Sequence, residues 1–253
     1  MAQSETARRT KYGIEASQFV EWLAPVGPQR RLLAVAIHGG YWRARYNLDH
    51  LRPFCTALAA SGFAVASLEY RRLGEPGGGW PGTLDDVAHA LHALPGEAAQ
   101  MGIAFSRVLL VGHSAGGQLA LWGVRNAHAK SAGLTLAGVV GLAAVSDLVE
   151  ASRLNLSGGV VREFLGGSPE QVPERYRAAS PVELLPLGVP TILVHGTEDE
   201  DVPYALSPAY AQKARAAGDE ARLVRLEGGG HFDVIEPTSR HWPTVLKAIE
   251  SLA

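Results

Sequence analysis

Short apolar runs alternating with longer stretches of helical spacing constrain this chain more than any other feature of its sequence. The runs are Leu32 to Ile37, Ala64 to Leu68, Val108 to Val111, Leu136 to Leu142, Thr191 to Val194 and Arg222 to Leu226. Most are near-continuous rather than alternating, as in strands covered on both faces. Phe19 to Leu23 reads as an earlier, antiparallel strand. Helical spacing appears in Leu48 to Ser61, Thr83 to Leu94, Gly116 to His128, Ala205 to Ala217 and Trp242 to Leu252. Gly62 and Gly218 stand where glycines that end helices belong. A strand-helix repeat of this kind predicts an α/β fold, a mostly parallel sheet flanked by helices.

The segment from Ser146 to Leu187 breaks the rhythm, with paired glycines and prolines among short helical patches. It is too short for a core of its own and is expected as a lid-like insertion over the sheet's carboxyl edge, so that residues 1–253 form one domain. With 47% hydrophobic and 19% charged residues and a formal net charge of -2, nothing points to nucleic acid or an anionic membrane as partner; a small-molecule substrate fits better. Cys55 is the only cysteine, which rules out an internal disulfide and implies no oxidising compartment. Met1 to Lys11 is polar and leads into no apolar run, so it reads as neither signal peptide nor anchor, and the cytoplasm is the expected location. No cofactor is implied, and the sequence does not speak to oligomeric state.

Chemistry concentrates at strand ends. Gly112, His113, Ser114, Ala115 and Gly116 form a G-x-S-x-G run between a buried strand and an amphipathic helix. In that context the turn must be sharp, with glycines on both sides letting strand and helix approach, and the serine hydroxyl stands above the sheet as a nucleophile. A serine at its ordinary pKa needs a histidine base and an orienting carboxylate. The acidic loop after Thr191 to Val194 offers Glu198, Asp199, Glu200 and Asp201, and all four compete for the carboxylate's role. His231, in the glycine loop after the last strand, suits the base; His113, expected to point to the other side of the turn, His195 and His241 read as structural or supporting. An acyl-transfer site also needs N–H donors for the oxyanion. His38, Gly39 and Gly40, leaving a strand, supply bare backbone that can face the serine, and Ala115, the residue after it, supplies another donor.

Together these motifs resemble the α/β-hydrolase family over nearly the whole chain. His38-Gly-Gly with the Gly112 to Gly116 run resembles the hormone-sensitive-lipase-like carboxylesterases. That resemblance places the oxyanion donors at Gly40 and Tyr41, beside Ala115. The form His38, Gly39, Gly40, Tyr41, Trp42 is also similar to the kynurenine formamidases. The acidic loop resembles the H-G-x-x-D-x-x-V-P segment of dienelactone-hydrolase-like and peptidase-like members. Aligning His195, Gly196, Val202 and Pro203 selects Asp199 as triad acid, with Asp201 in reserve.

The implied catalytic residues are therefore Ser114, Asp199 and His231, without a metal. Tyr41, Trp42 and Trp80 are candidate pocket walls, although the two tryptophans fit core packing as well. Asp85 reads as a charge at a helix start. His89 and His92 have helical spacing but no third ligand nearby, so they read as solvated or boundary histidines rather than metal-binding. The expected activity is hydrolysis of small carboxylic esters. The alternative is hydrolysis of an aryl formamide of the N-formylkynurenine type, which uses the same parts. A non-catalytic binding protein on a hydrolase scaffold would not need every one of them.

Overall fold

The structure, a computed structural model, describes residues 8–27, 30–130 and 134–253. The polar stretch read above as neither signal nor anchor lies, for residues 1–7, outside the described part. In chain order the strands are β1 (Arg8–Lys11), β2 (Phe19–Leu23), β3 (Leu32–Ile37), β4 (Ala64–Leu68), β5 (Arg107–His113), β6 (Leu136–Leu142), β7 (Thr191–Gly196) and β8 (Ala221–Leu226). The helices are α1 (Arg52–Ala60), α2 (Gly82–Met101), α3 (Ala115–Lys130), α4 (Leu148–Arg153), α5 (Leu156–Leu165), α6 (Pro173–Ala179), α7 (Leu206–Ala216) and α8 (Trp242–Glu250). Short 3-10 turns precede α1 at Leu48–Leu51 and follow α6 at Pro181–Leu184.

All eight strands join one sheet in the order β1-β2-β4-β3-β5-β6-β7-β8. The β1-β2 and β2-β4 pairs are antiparallel, the rest parallel. The inner strands are apolar throughout because both faces are covered. Along β3, Leu33, Val35 and Ile37 enter one core cluster and Leu32, Ala34 and Ala36 the other, the two-residue alternation of a strand between two helical layers. α2, α3 and α4 to α6 contribute to the first cluster, α1 and α8 to the second. At the far edge β8 is exposed along its middle, as an edge strand can be.

Two differences from the sequence reading have plain causes. Arg8–Lys11 was not anticipated as a strand because its residues are charged and mostly exposed, yet it pairs along β2 and closes the opposite edge. α2 continues seven residues past Leu94, through Pro95, to Gly102 at φ 72°. Ala98 and Glu97 on that extension are buried, and Thr10 Oγ1 donates to Glu97 Oε2 at 2.7 Å, so tertiary contacts carry the helix past the proline. The insertion stands as expected between β6 and β7, as α4 to α6. Among the described residues no helix is long and apolar enough to cross a membrane.

Candidate active site

β5 lies between β3 and β6, so its carboxyl end faces the centre of the sheet's upper edge. There Ser114 turns the chain from β5 into α3 at φ 57°, a left-handed conformation that costs a serine about 1–3 kcal/mol. Neighbouring backbone holds it: Ser114 N–H donates to Leu142 O at 2.8 Å, and Val145 N–H donates to Ser114 O at 3.2 Å. Both flanking glycines are obligatory. A Cβ on Gly112 would lie 2.0 Å from Gly116 O, and one on Gly116 would lie 2.2 Å from Ile37 O.

The carboxylate and histidine loops are knitted together. A Cβ on Gly196 would lie 2.1 Å from Gly229 O, and Glu198 N–H donates to that oxygen at 2.9 Å. Gly228 N–H donates to Thr197 Oγ1, and Gly230 N–H to Asp233 Oδ2, both at 2.8 Å. Gly196 on β7 is thus what lets the glycine loop around Gly228 to Gly230 approach so closely. His231 emerges from this loop with Nδ1 donating to Asp199 Oδ2 at 2.7 Å. His195 Nε2 donates to the same oxygen at 3.0 Å, and the amides of Asp201 and Val202 donate to Oδ1 at 2.9 and 2.8 Å. The Asp199 side chain is fully buried. Burial alone would raise its carboxyl, but the hydrogen bonds from His195 and His231 outweigh that and hold it well below the usual carboxylate range. Asp201 meets a different partner, the Tyr41 hydroxyl, which donates to its backbone O at 3.0 Å and to Oδ1 at 3.1 Å.

Opposite the serine, β3 ends in His38, Gly39 and Gly40. A Cβ on Gly39 would sit 2.9 Å from Ser114 Cβ, and Gly40 has φ 111°. Tyr41 and Trp42 follow at φ 52° and 55°. Among the described residues the N–H groups of Gly40, Tyr41 and Ala115 meet no acceptor, Ala115 being the first residue of α3. His38 is fully buried. Its Nε2 lies 2.9 Å from Glu69 Oε1, its ring stacks on Tyr70 at 4.4 Å, and its carbonyl accepts from the Tyr70 hydroxyl at 2.8 Å. Glu69 and Tyr70 therefore anchor this loop. Their position, directly beyond the strand that pairs with β3, was the available signal.

Other expectations need correcting. His113 does not point away from the site: its Nε2 lies 3.1 Å from His231 O and the two rings are 4.6 Å apart. Burial, and then the neighbouring His231, push its pKa well below the ordinary value, so it is neutral. Trp42 is no pocket wall. It is wholly enclosed, stacked on Phe164 of α5 at 4.5 Å, because the insertion brings an aromatic ring down onto it. Trp80 is half-buried against the same core, with its backbone N–H donating to Phe164 O at 2.9 Å.

A cleft of about 490 Å³ opens beside Tyr41, with Arg45, Tyr46, Leu154, Ser157 and Asp201 in its wall. Leu154 and Pro203 also line a second cleft of about 340 Å³ between α4 and α7. Asp199, Asp201 and His231 bring ligand-type atoms within 4.8 Å of one another, but those of Asp199 and the Nδ1 of His231 are spent on the hydrogen bonds above.

A mostly parallel sheet with a strained serine at the end of its central strand, and a carboxylate-histidine pair beyond β7 and β8, defines the chain as an α/β-hydrolase. More particularly, it belongs to the BD-FAE family, whose model matches residues 23–214. It is 25% identical over 250 residues to a probable isoprenylcysteine alpha-carbonyl methylesterase of Oryza sativa subsp. japonica, an alignment covering 91% of this chain and 59% of the rice protein. The chain thus spans about three fifths of that relative's length. Among solved structures it resembles esterase B from Lactobacillus rhamnosis, with TM-score 0.80, 20% identity and coverage of 98% of this chain and 88% of that one. It also resembles a thermophilic esterase from the Planctomycetes species Thermogutta terrifontis in its propionate-bound form, with TM-score 0.73, 24% identity and coverage of 97% and 91%. At these identities the likeness establishes the fold.

Proposed function

We propose that this protein is a carboxylesterase-type serine hydrolase that cleaves small carboxylic esters through an acyl-enzyme. The observation that carries the reading is the Asp199–His231 hydrogen bond, with the His231 ring packed on His113, the residue before the strained Ser114. His231 Nε2 takes the proton of the Ser114 hydroxyl as Oγ attacks the ester carbonyl. Asp199, kept ionised, fixes the tautomer and stabilises the imidazolium. The oxyanion is received by the N–H groups of Gly40 or Tyr41 and of Ala115. His231 then returns the proton to the departing alkoxide, and a water activated by the same ring releases the acid. Residues 1–253 act as one domain, and α4 to α6 with the Tyr41 cleft select the substrate. The single cysteine, Cys55, is buried and its thiol pushed up to about 12 by burial, which keeps it out of the chemistry; the cytoplasm is the assigned compartment.

Ester rather than formamide hydrolysis comes first because the relatives named above are esterases. The deciding experiment compares kcat/KM for p-nitrophenyl acetate, longer-chain p-nitrophenyl esters and N-formylkynurenine, with Ser114→Ala as control. Ester turnover and fluorophosphonate labelling that vanish in S114A are expected. Labelling that persists in S114A overturns the nucleophile, and dominant formamide turnover overturns the substrate order.

A further inference from the structure

The three residues Gly40, Tyr41 and Trp42 are successive positions at positive φ, two of them not glycine. Such a loop persists only where its surroundings over-determine it. One surrounding contact stands apart. The Trp42 indole N–H donates to Gln118 Oε1 at 3.1 Å, while Gln118 Nε2 donates to Ala179 O at 2.9 Å. Both side chains are fully buried. The two contacts fix which way the amide points, because the indole can only donate and the carbonyl can only accept. Gln118 lies one helical turn beyond Ala115 on α3, so its side chain joins the helix that begins with one oxyanion donor to the loop that carries the others.

From this geometry we infer that Trp42 and Gln118 form a clasp that sets the spacing between the two halves of the oxyanion site. They are positioning residues: their side chains bond each other and Ala179 O rather than the Ser114 hydroxyl, Gln118 meeting Ser114 only through its backbone N–H, which donates to Ser114 O at 3.2 Å, and the inference rests on the serine-hydrolase reading above. The rest of the loop is held differently. Leu73 N–H donates to Trp42 O at 2.7 Å and Ala44 N–H to Leu73 O at 2.9 Å, which fixes the chain after Trp42 but leaves its tie to α3 to the indole. The Phe164 stack packs the ring from the insertion's side and is directionally tolerant; the hydrogen bond is not. A displaced donor affects the transition state more than the ground state, since the developing oxyanion demands the tighter geometry.

The test uses Trp42→Phe, which keeps a ring on Phe164 and loses the N–H, Gln118→Met, which keeps volume and loses both bonds, and the double variant. Each is scored for kcat and KM per active site, titrated with a fluorophosphonate, for inhibition by a trifluoromethyl ketone whose adduct carries the oxyanion, and for Tm. W42F is expected to lose about 10- to 100-fold in kcat, the scale of a donor misplaced rather than deleted, with KM within about 3-fold. Ketone affinity should fall in step with kcat/KM, and the double variant should be no worse than the poorer single one. Unchanged kcat in folded W42F, a loss accounted for by fewer titratable sites, or additive losses in the double variant each overturn the clasp. W42F alone decides the matter if Q118M does not fold. Wild-type protein lacking Ser114-dependent turnover would instead overturn the underlying reading and the clasp with it, whereas an active wild type with an indifferent W42F overturns the clasp alone.

Discussion

Asp199 receives four hydrogen bonds on two oxygens, and no other acidic residue of its loop is placed to do so. Two come from the backbone of Asp201 and Val202, which means that the loop wraps around the carboxylate rather than merely carrying it. Asp199→Asn should present an N–H where His231 Nδ1 now donates and favour the wrong tautomer, with kcat falling by about 10³- to 10⁴-fold as in other triads. Asp201→Asn leaves the carbonyl of residue 201 and a side-chain oxygen for the Tyr41 hydroxyl, so kcat should change by less than about 3-fold. Steady-state turnover of p-nitrophenyl acetate, normalised to titrated active sites, ranks the two; equal losses would remove Asp199 from the role. The alignment of His195, Gly196, Val202 and Pro203 could pick Asp199 from four neighbouring acids because that spacing encodes a backbone turn, and turns are local. Trp42 could not be placed the same way. What encloses it is Phe164, more than a hundred residues away, and the meeting depends on how the insertion folds back.

Among the elements, the turn from β5 into α3 is the tightest junction at the site, and two helical glycines show how differently the same substitution acts. A methyl on Gly116 would press on the carbonyls of Ile37 and His38 at 2.2 and 2.3 Å, backbone atoms at the end of β3 that cannot yield without opening the sheet. Gly116→Ala is expected to destabilise by at least about 1–3 kcal/mol, the range of overpacking, and to depress activity by separating Gly40 from Ser114. Gly96 is exposed within α2 and a methyl there meets nothing within 4 Å. Gly96→Ala should stabilise by about 0.5–1 kcal/mol through helix propensity and the unfolded chain's lost freedom. Urea unfolding midpoints of the two variants should move in opposite directions, and a G116A midpoint equal to wild type would refute the close approach. The strands from β2 onward were readable because buried apolar runs are decided by local composition. β1 was not, since Arg8–Lys11 owes its conformation to pairing with β2 and to Arg9 bonding Glu21, neither of which leaves an apolar signature.

Over the whole molecule, buried carboxylates tie the antiparallel end of the sheet to its middle, where Ser114 sits. Glu21 on β2 accepts from Arg9 of β1 and Arg52 of α1. Glu69, just beyond β4, holds His38 and the Leu48 N–H. Burial acts to raise the pKa of Glu21, Glu69 and Asp199; the hydrogen bonds and charges of Arg52 and Arg9, of His38 and Arg72, and of His195 and His231 respectively overcome it, and all three are lowered. Each therefore contributes stability that is fully present above its unfolded value, near 4. That stability is lost as the pH falls towards the folded value, because below about pH 4 the unfolded chain binds protons that the native chain refuses. Glu97 runs the other way, raised by burial, and offsets a part of this near the same pH. The five tryptophans give a fluorescence signal for urea unfolding between pH 7 and 3. The midpoint should hold nearly level down to about pH 5 and then fall steadily. Glu21→Gln should unfold earlier at pH 7, since Arg9 and Arg52 lose their shared counterion, but fall less steeply below pH 5 because one of the depressed carboxylates is gone. Parallel curves for wild type and E21Q would show that the antiparallel edge plays no part in acid sensitivity, and that other depressed carboxylates, Glu69 and Asp199 beside His38 and His231 among them, carry it instead.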